Sequence, residues 1–245
     1  MDEVYYIGAY WGARREDGEA CARRLAALVQ SLAPMDPLFA SWFKHAKSPK
    51  ESLKRPLELE LSSLQKYVQS RIMRDSGRKP MEDMGFRIGL WNGHQGGNDA
   101  WLRAYCGGYW EQMTNLCILE APFKGPGSER VLTAPVQVQA LRAIAAAWDP
   151  DWGVGISRTH RDIIEKKCPD VLVGWVTYLS RRLGRVPPLP APVRIEPVED
   201  KGTLIILTPE RFTASNPEHV ALAERVRELL DRAGVLLKPV QRSGK

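Results

Sequence analysis

The last third of the chain, from Gly174 to Gly234, most constrains the fold because it places three strand patterns and one amphipathic helix pattern within a short length. Its end reads as an amphipathic helix from Asn216 to Ala233, with a good N-cap at Asn216 and Pro217 at the first helical position. Gly234 is placed to end that helix in a left-handed conformation. The three predicted strands of this stretch are Gly174–Ser180, Val193–Val198 and Thr203–Thr208.

The rest of the chain also contains both strand and helix patterns. Strands are predicted at Glu3–Trp11, Leu38–Lys44, Phe86–Trp91, Trp101–Cys106, Asn115–Ala121 and Trp152–Ser157. Helices are predicted from Asp17 to Ala33, Pro56 to Met73, Thr133 to Trp148 and Thr159 to Lys167. Leu38–Lys44 is apolar on both faces, which favours an interior strand of a sheet covered on both sides. Consecutive hairpins interspersed with helices predict an α+β fold with a mixed, mostly antiparallel sheet packed with several helices.

Length and composition are those of a folded, water-soluble protein. The 245 residues suit one domain, 1–245, and a glycine-containing joint at 125–133 is a possible meeting point of two halves. No apolar run reaches about 18 residues, so we expect no membrane span. The acidic start, Met1-Asp-Glu, is unlike a signal peptide, so a cytoplasmic location is expected. The four cysteines, Cys21, Cys106, Cys117 and Cys168, have no CxxC spacing and are expected to be buried free thiols.

The formal net charge of +6 permits nucleic-acid binding. The basic residues are scattered along the chain, however, and no basic and aromatic array typical of single-strand binding stands out. No glycine-rich phosphate-binding fingerprint occurs either. A basic nucleic-acid-binding protein therefore stays an alternative, with no specific nucleic-acid binding expected.

The loop from Asn92 to Asp99 is the most enzyme-like stretch, since His94 could act as a general base with Asp99 as its partner. A hydrolase that uses this loop is a second alternative, although no GxSxG elbow accompanies it. Turn chemistry in a glycine-rich loop is the simpler interpretation. The four histidines show no metal-binding spacing, and no cofactor is expected. His219, in the first turn of the last helix, is expected at the surface.

Several short sequence blocks stand in order along nearly the whole chain. They are Tyr5-Tyr-Ile-Gly-Ala-Tyr-Trp-Gly-Ala13, Cys21-Ala-Arg-Arg24, Gly85-Phe-Arg-Ile-Gly-Leu-Trp-Asn-Gly93, Gly174-Trp-Val-Thr-Tyr178, Gly202-Thr-Leu-Ile-Ile-Leu207, Glu210-Arg-Phe212, Asn216-Pro-Glu-His-Val220 and Asp231-Arg-Ala-Gly234. Together these blocks resemble the immunity protein 52 family. The resemblance implies a non-enzymatic immunity protein. Its partner would be a cognate bacterial toxin, of the restriction-endonuclease-fold nuclease type, delivered by a type VI secretion system. The basic charge does not suit a nuclease's cationic cleft and favours binding elsewhere on the toxin.

Aromatic residues beside loops indicate where such a toxin would bind. Trp91, Trp101, Tyr109 and Trp110 flank loops at strand ends, and aromatic side chains in such places are typical interface anchors. With the neighbouring polar residues, the predicted toxin-binding set is Trp91, His94, Asp99, Trp101, Tyr109, Trp110 and Glu111. The prediction assumes that the connecting loops emerge close together.

Overall fold

The structure, a computed structural model, describes residues 3–122, 124–167 and 172–236. Its framework is one nine-stranded sheet in which every neighbouring pair is antiparallel. The strands are β1 (Tyr5–Trp11), β2 (Phe43–Lys44), β3 (Phe86–Trp91), β4 (Trp101–Cys106), β5 (Asn115–Glu120), β6 (Trp152–Ser157), β7 (Val176–Ser180), β8 (Arg194–Val198) and β9 (Gly202–Ile206). Their order across the sheet is β2-β3-β4-β5-β1-β6-β7-β9-β8. The first strand of the chain is therefore central.

Seven α-helices accompany this sheet within the described ranges. They are α1 (Gly18–Leu32), α2 (Pro49–Ser52), α3 (Leu61–Ser70), α4 (Gly125–Val131), α5 (Ala134–Trp148), α6 (Arg158–Lys167) and α7 (Pro217–Arg232). The predicted α+β class is confirmed. The strands β3, β4 and β6 have the bounds predicted from the sequence.

Helix α1 illustrates how the sequence determines the packing. The Asp17 carboxylate accepts a hydrogen bond from the Ala20 backbone N–H at 2.8 Å, which satisfies one of the first free donors of the helix. The apolar stripe that includes Cys21, Leu25 and Leu28 is fully buried. The helix packs against α3 and α5. Each buried leucine contributes about 1.5–3 kcal/mol relative to an exposed one.

The two faces of the sheet differ in how they are covered. On one face, Ile7, Leu119, Leu102 and Leu90 lie in register across four strands and are buried in the main core with α1, α3 and α5. On the other face, α6 packs on β6, and Ile164 joins a smaller apolar cluster with side chains of β1 and β6. Along β3, β4 and β5 the burial alternates, so the second face of these strands is accessible to solvent. We call this accessible surface the open face.

The segment Leu38–Lys44 was predicted as an interior strand, and this prediction is wrong. Pro37–Phe39 forms a 3-10 turn, and only Phe43–Lys44 pairs, at the edge of the sheet. The reason is local: the Asp36 carboxylate accepts from the Leu38 N–H at 2.9 Å and also binds Arg130 at 2.8 Å. This cap turns the chain, so that Phe39 and Trp42 are buried by a turn.

Two other segments have a local structure that differs from the predicted one. The helix expected from Pro56 begins at Leu61, because the Glu60 carboxylate accepts from the N–H groups of Ser62 and Ser63. The predicted joint at 125–133 contains helix α4. Gly127 packs closely there, since an added Cβ atom would lie 2.5 Å from the Asn98 Oδ1 atom and 2.6 Å from the Leu38 Cδ1 atom, so these side chains would have to shift.

The end of the chain follows the predicted pattern with two corrections. The Asn216 side chain caps α7 by accepting from the Glu218 N–H at 3.0 Å, and Gly234 follows the helix with φ +68°. The helical spacing of apolar residues predicts Val226 and Leu229 as core residues; Val226 is fully buried, but Leu229 is only half-buried, and Leu230 is fully buried instead. His219 was expected at the surface but is 8% exposed, because its ring stacks on Phe212 with the centroids 5.1 Å apart.

The three described cysteines are free and buried, as predicted: Cys21, Cys106 and Cys117. Burial raises the pKa of the Cys117 thiol, and the nearby Cys21 together with burial raises the pKa of Cys106. The thiols of Cys106 and Cys117 are therefore protonated and unreactive at neutral pH. Cys168 lies outside the described residues.

Candidate functional site

The sequence-predicted binding residues lie at two opposite ends of strand β4. Trp91 and Trp101 are register partners on β3 and β4, and their rings stack with centroids 6.0 Å apart. Tyr109, Trp110 and Glu111 follow the far end of β4, after Cys106. Six residues of strand separate the two groups, or about 20 Å. The expectation that all these loops emerge together is therefore wrong, and we distinguish a Trp101 end from a Tyr109 end.

The loop at the Trp101 end is held by a buried asparagine. The Asn92 Oδ1 atom accepts from the N–H groups of His94 at 3.2 Å and Ala100 at 2.9 Å. Its Nδ2 group donates to the carbonyl oxygens of Leu38 at 3.1 Å and Asn98 at 3.0 Å. All four hydrogen bonds that one amide can readily make are thus present. The loop has a fixed base even though it carries three glycines with positive φ.

Beside this loop lies a cavity of about 270 Å³. Trp91 and Trp101 form its aromatic wall, and the exposed His45 packs its ring edge against Trp101 at 5.3 Å. The Trp101 indole N–H donates to the Asp99 carboxylate at 3.3 Å, and His94 also lines the cavity. The volume is below the range of about 300–1,000 Å³ usual for small-molecule sites. It is suited to one inserted side chain of a partner protein.

The geometry does not assemble the enzyme-like pair that the sequence suggested. Among the described residues, the Asp99 carboxylate is engaged by the Trp101 indole and forms no hydrogen bond with the His94 imidazole. His94 donates a hydrogen bond to the Asn92 side chain through its backbone N–H. A general base needs a partner that orients it, and this loop does not provide one.

The open face continues from the cavity as a groove of about 390 Å³, and His45 and Trp101 line both. Arg71, Arg87 and Arg103 border this groove together with Tyr105. The Arg87 guanidinium lies 5.3 Å from the centre of the Tyr105 ring, its register partner on β4. This is cation–π geometry, and the Arg87 side chain is exposed to solvent.

A single carboxylate on the open face binds two arginines. Arg158, at the start of α6, donates to the Glu120 Oε1 atom at 2.9 Å, and Arg103 donates to the same oxygen. The sequence alone did not predict that Arg87, Arg103 and Arg158 lie on one face, because these arginines are far apart in the chain. The alternation Arg87-Ile-Gly and Arg103-Ala-Tyr on two strands was the available signal, but it becomes informative only once the strand pairing is known.

The Tyr109 end carries an exposed aromatic of its own. The N–H groups of Tyr109 and Trp110 both donate to the Asp83 carbonyl oxygen, at 2.8 and 3.1 Å. The Arg15 guanidinium lies 5.0 Å from the Tyr109 ring centre. Trp110 is 48% exposed, more than any other aromatic or aliphatic side chain of its size in the described ranges, and Glu111 is also exposed. The backbone here is fixed while one indole is available to a partner.

Comparison with known proteins identifies the family. Residues 3–240 match the family described as Immunity protein 52. The chain belongs to the immunity protein 52 family.

The comparisons of structure and of sequence give two further findings about this immunity protein. Its fold is similar to that of the Pseudomonas aeruginosa T6SS protein PA0821, with a TM-score of 0.50 and 12% sequence identity. That similarity covers 93% of this chain and 76% of the other. Among curated proteins, none matches its sequence significantly. An immunity protein has a cognate toxin as its partner, so the surfaces described above are candidates for toxin contact.

The described ranges of the immunity protein also bear on metal binding and on membrane crossing. Its described histidines, cysteines and carboxylates form no group of three with metal-binding geometry. None of its described helices has the length and apolar character that a membrane crossing requires.

Proposed function

We propose that this immunity protein neutralises a nuclease-type toxin of a type VI secretion system by binding it non-catalytically, with the Trp101 end as the anchor of the interface. Membership of the immunity protein 52 family supports the toxin partner. The structural neighbour is a T6SS protein, which supports the secretion system. The nuclease type follows from the family resemblance of the sequence. Because a nuclease toxin attacks nucleic acid inside the cell, the complex would form in the cytoplasm.

One observation carries the placement of the interface: the cavity walled by Trp91 and Trp101 opens directly into an accessible sheet face that carries Tyr105 and arginines. Tryptophan, tyrosine and arginine are the residue types most enriched among binding hot spots. Trp101 is half-buried and held by Asp99 and Trp91, so little side-chain freedom is lost on binding. His94 and Asp99 would form the polar border of the cavity.

The Tyr109 end is proposed as the border of the same interface. A standard interface covers about 800 Å² on each partner, a patch about 28 Å across. Such a patch centred on the open face reaches both ends of β4, which are about 20 Å apart. Tyr109, Trp110 and Glu111 would then contact the toxin at the solvent-exposed rim, where single contacts contribute little.

The test is a titration of the immunity protein against a catalytically inactive form of the toxin encoded beside it. Trp101→Ala is expected to raise Kd by about 30-fold or more, equivalent to about 2 kcal/mol. Trp110→Ala, at the rim, is expected to raise Kd by less than about 5-fold. Ile195→Ala is the matched control, because Ile195 is an exposed apolar residue on β8 at the opposite edge of the sheet.

The outcomes separate the possibilities. Thermal unfolding of each variant is the control that checks whether the fold is retained. If Trp110→Ala abolishes binding while Trp101→Ala binds like the wild type, the anchor lies at the Tyr109 end and the placement proposed here is wrong. If neither variant differs from Ile195→Ala, the interface lies away from β4 altogether.

A further inference from the structure

The open face has an unequal distribution of charge. Four guanidinium groups, those of Arg71, Arg87, Arg103 and Arg158, share it with one carboxylate, that of Glu120. Glu120 is already bound by Arg103 and Arg158. Within the described ranges, Arg71 and Arg87 form no ion pair. The face therefore carries a net positive charge that the fold itself does not neutralise.

The two arginines without an ion pair are positioned side by side by the backbone. The Arg71 Nε group donates to the Arg87 carbonyl oxygen at 3.2 Å, and the Arg71 carbonyl oxygen accepts from the Arg87 N–H at 2.9 Å. Arg87 is also oriented by the Tyr105 ring. Both side chains are exposed at the groove beside Trp101. Their free N–H donors are suited to a carboxylate, which arginine binds through two parallel hydrogen bonds.

We infer that the open face receives an acidic surface of the cognate toxin, and that a toxin carboxylate is bound by Arg87 and Arg71. This inference rests on the proposed function and specifies the chemistry of the partner. A nuclease cleft is cationic because it must bind phosphates, so it would be repelled by this face. The toxin is accordingly held by a surface outside its nucleic-acid cleft.

The test compares three arginine variants in titrations with the inactive toxin at about 50 mM and about 500 mM salt. Arg87→Glu is expected to raise Kd by about 100-fold at low salt, and by less at high salt, where charge repulsion is screened. Arg87→Lys keeps the charge but loses the planar fork and the stacking, so a rise of about 10-fold is expected. Arg232→Glu makes the same change of charge on an exposed residue of α7 and is expected to alter Kd by less than about 3-fold.

Each result has a distinct meaning. If Arg87→Glu binds the toxin like Arg232→Glu while Trp101→Ala loses binding, the acidic-partner inference is wrong and the proposed function stands. If the wild type binds no toxin at either salt concentration, the proposed function fails. A third arm uses a labelled single-stranded oligonucleotide. If Arg87→Glu loses binding to that probe but still binds the toxin like the wild type, the open face is assigned to nucleic acid instead.

Discussion

His160 makes the stability of this protein depend on pH in a way that can be worked out from its surroundings. The residue lies on α6 and is fully buried, with its ring 4.6 Å from that of Phe212. Neither ring nitrogen has a hydrogen-bond partner among the described residues. Burial lowers the pKa of His160 from 6.5 to about 4, although the charges of Glu3 and Glu224 act in the opposite direction.

The direction of this pH dependence of the unfolding free energy follows from proton linkage. Between about pH 6.5 and pH 4 the unfolded chain protonates this histidine while the folded protein does not. The contribution to stability is therefore fully present above pH 6.5 and is lost as the pH falls toward 4. A difference of about 2.5 pKa units corresponds to about 3 kcal/mol of unfolding free energy at most.

The assay is urea unfolding of the wild type and of His160→Phe at pH 7.5, about 6, 5 and 4.5. Phenylalanine keeps the ring contact with Phe212, and a cavity of about 250 Å³ beside Ile164 and Ala223 provides space for it. We expect the wild type to lose about 2–3 kcal/mol more than the variant over this range. Titrating carboxylates affect both proteins equally, so the difference isolates His160. Equal losses in the two proteins would refute the reasoning.

Three further predictions concern the core, the thiols and catalysis. Leu230→Ala should lower the free energy of unfolding by about 2–5 kcal/mol and Leu229→Ala by about 1 kcal/mol or less, because only Leu230 is fully buried; equal shifts in urea midpoint would contradict this. In a Cys168→Ser variant, Cys21, Cys106 and Cys117 should not react with a thiol reagent until the protein is unfolded, and rapid labelling in the native state would disagree. His94→Ala and Asp99→Ala should still protect toxin-producing cells, or fail only through weaker binding; substrate turnover that disappears in His94→Ala would instead support an enzyme.

The sequence predicted those elements whose signals are local. Phe86–Trp91 and Trp101–Cys106 alternate apolar and polar side chains, and the cap residues Asp17 and Asn216 mark helix starts directly. Leu38–Lys44 was misassigned because its apolar residues are buried by a capped turn, which depends on the distant Arg130. A pattern of hydrophobicity does not distinguish burial in a sheet from burial under a turn.

The candidate site was predictable only in part, for the same reason. Trp91 and Trp101 adjoin one loop, so their proximity could be expected from the sequence. Placing Tyr109 and Trp110 beside them required the direction of β4, which sends those residues to the other end. The arginines of the open face come from the residue that follows α3 and from β3, β4 and α6, and only the fold brings them together.

The most direct test of the proposed neutralisation measures nucleic-acid cleavage by the purified cognate toxin, proposed here to be a nuclease, as this immunity protein is added. We expect cleavage to fall in proportion to the protein added and to end near one equivalent, and we expect Trp101→Ala to require a large excess for the same effect. Full cleavage in the presence of saturating wild-type protein would contradict neutralisation of the toxin by this immunity protein. Complete protection by a small fraction of an equivalent would contradict the non-catalytic mechanism, because that result requires turnover rather than binding.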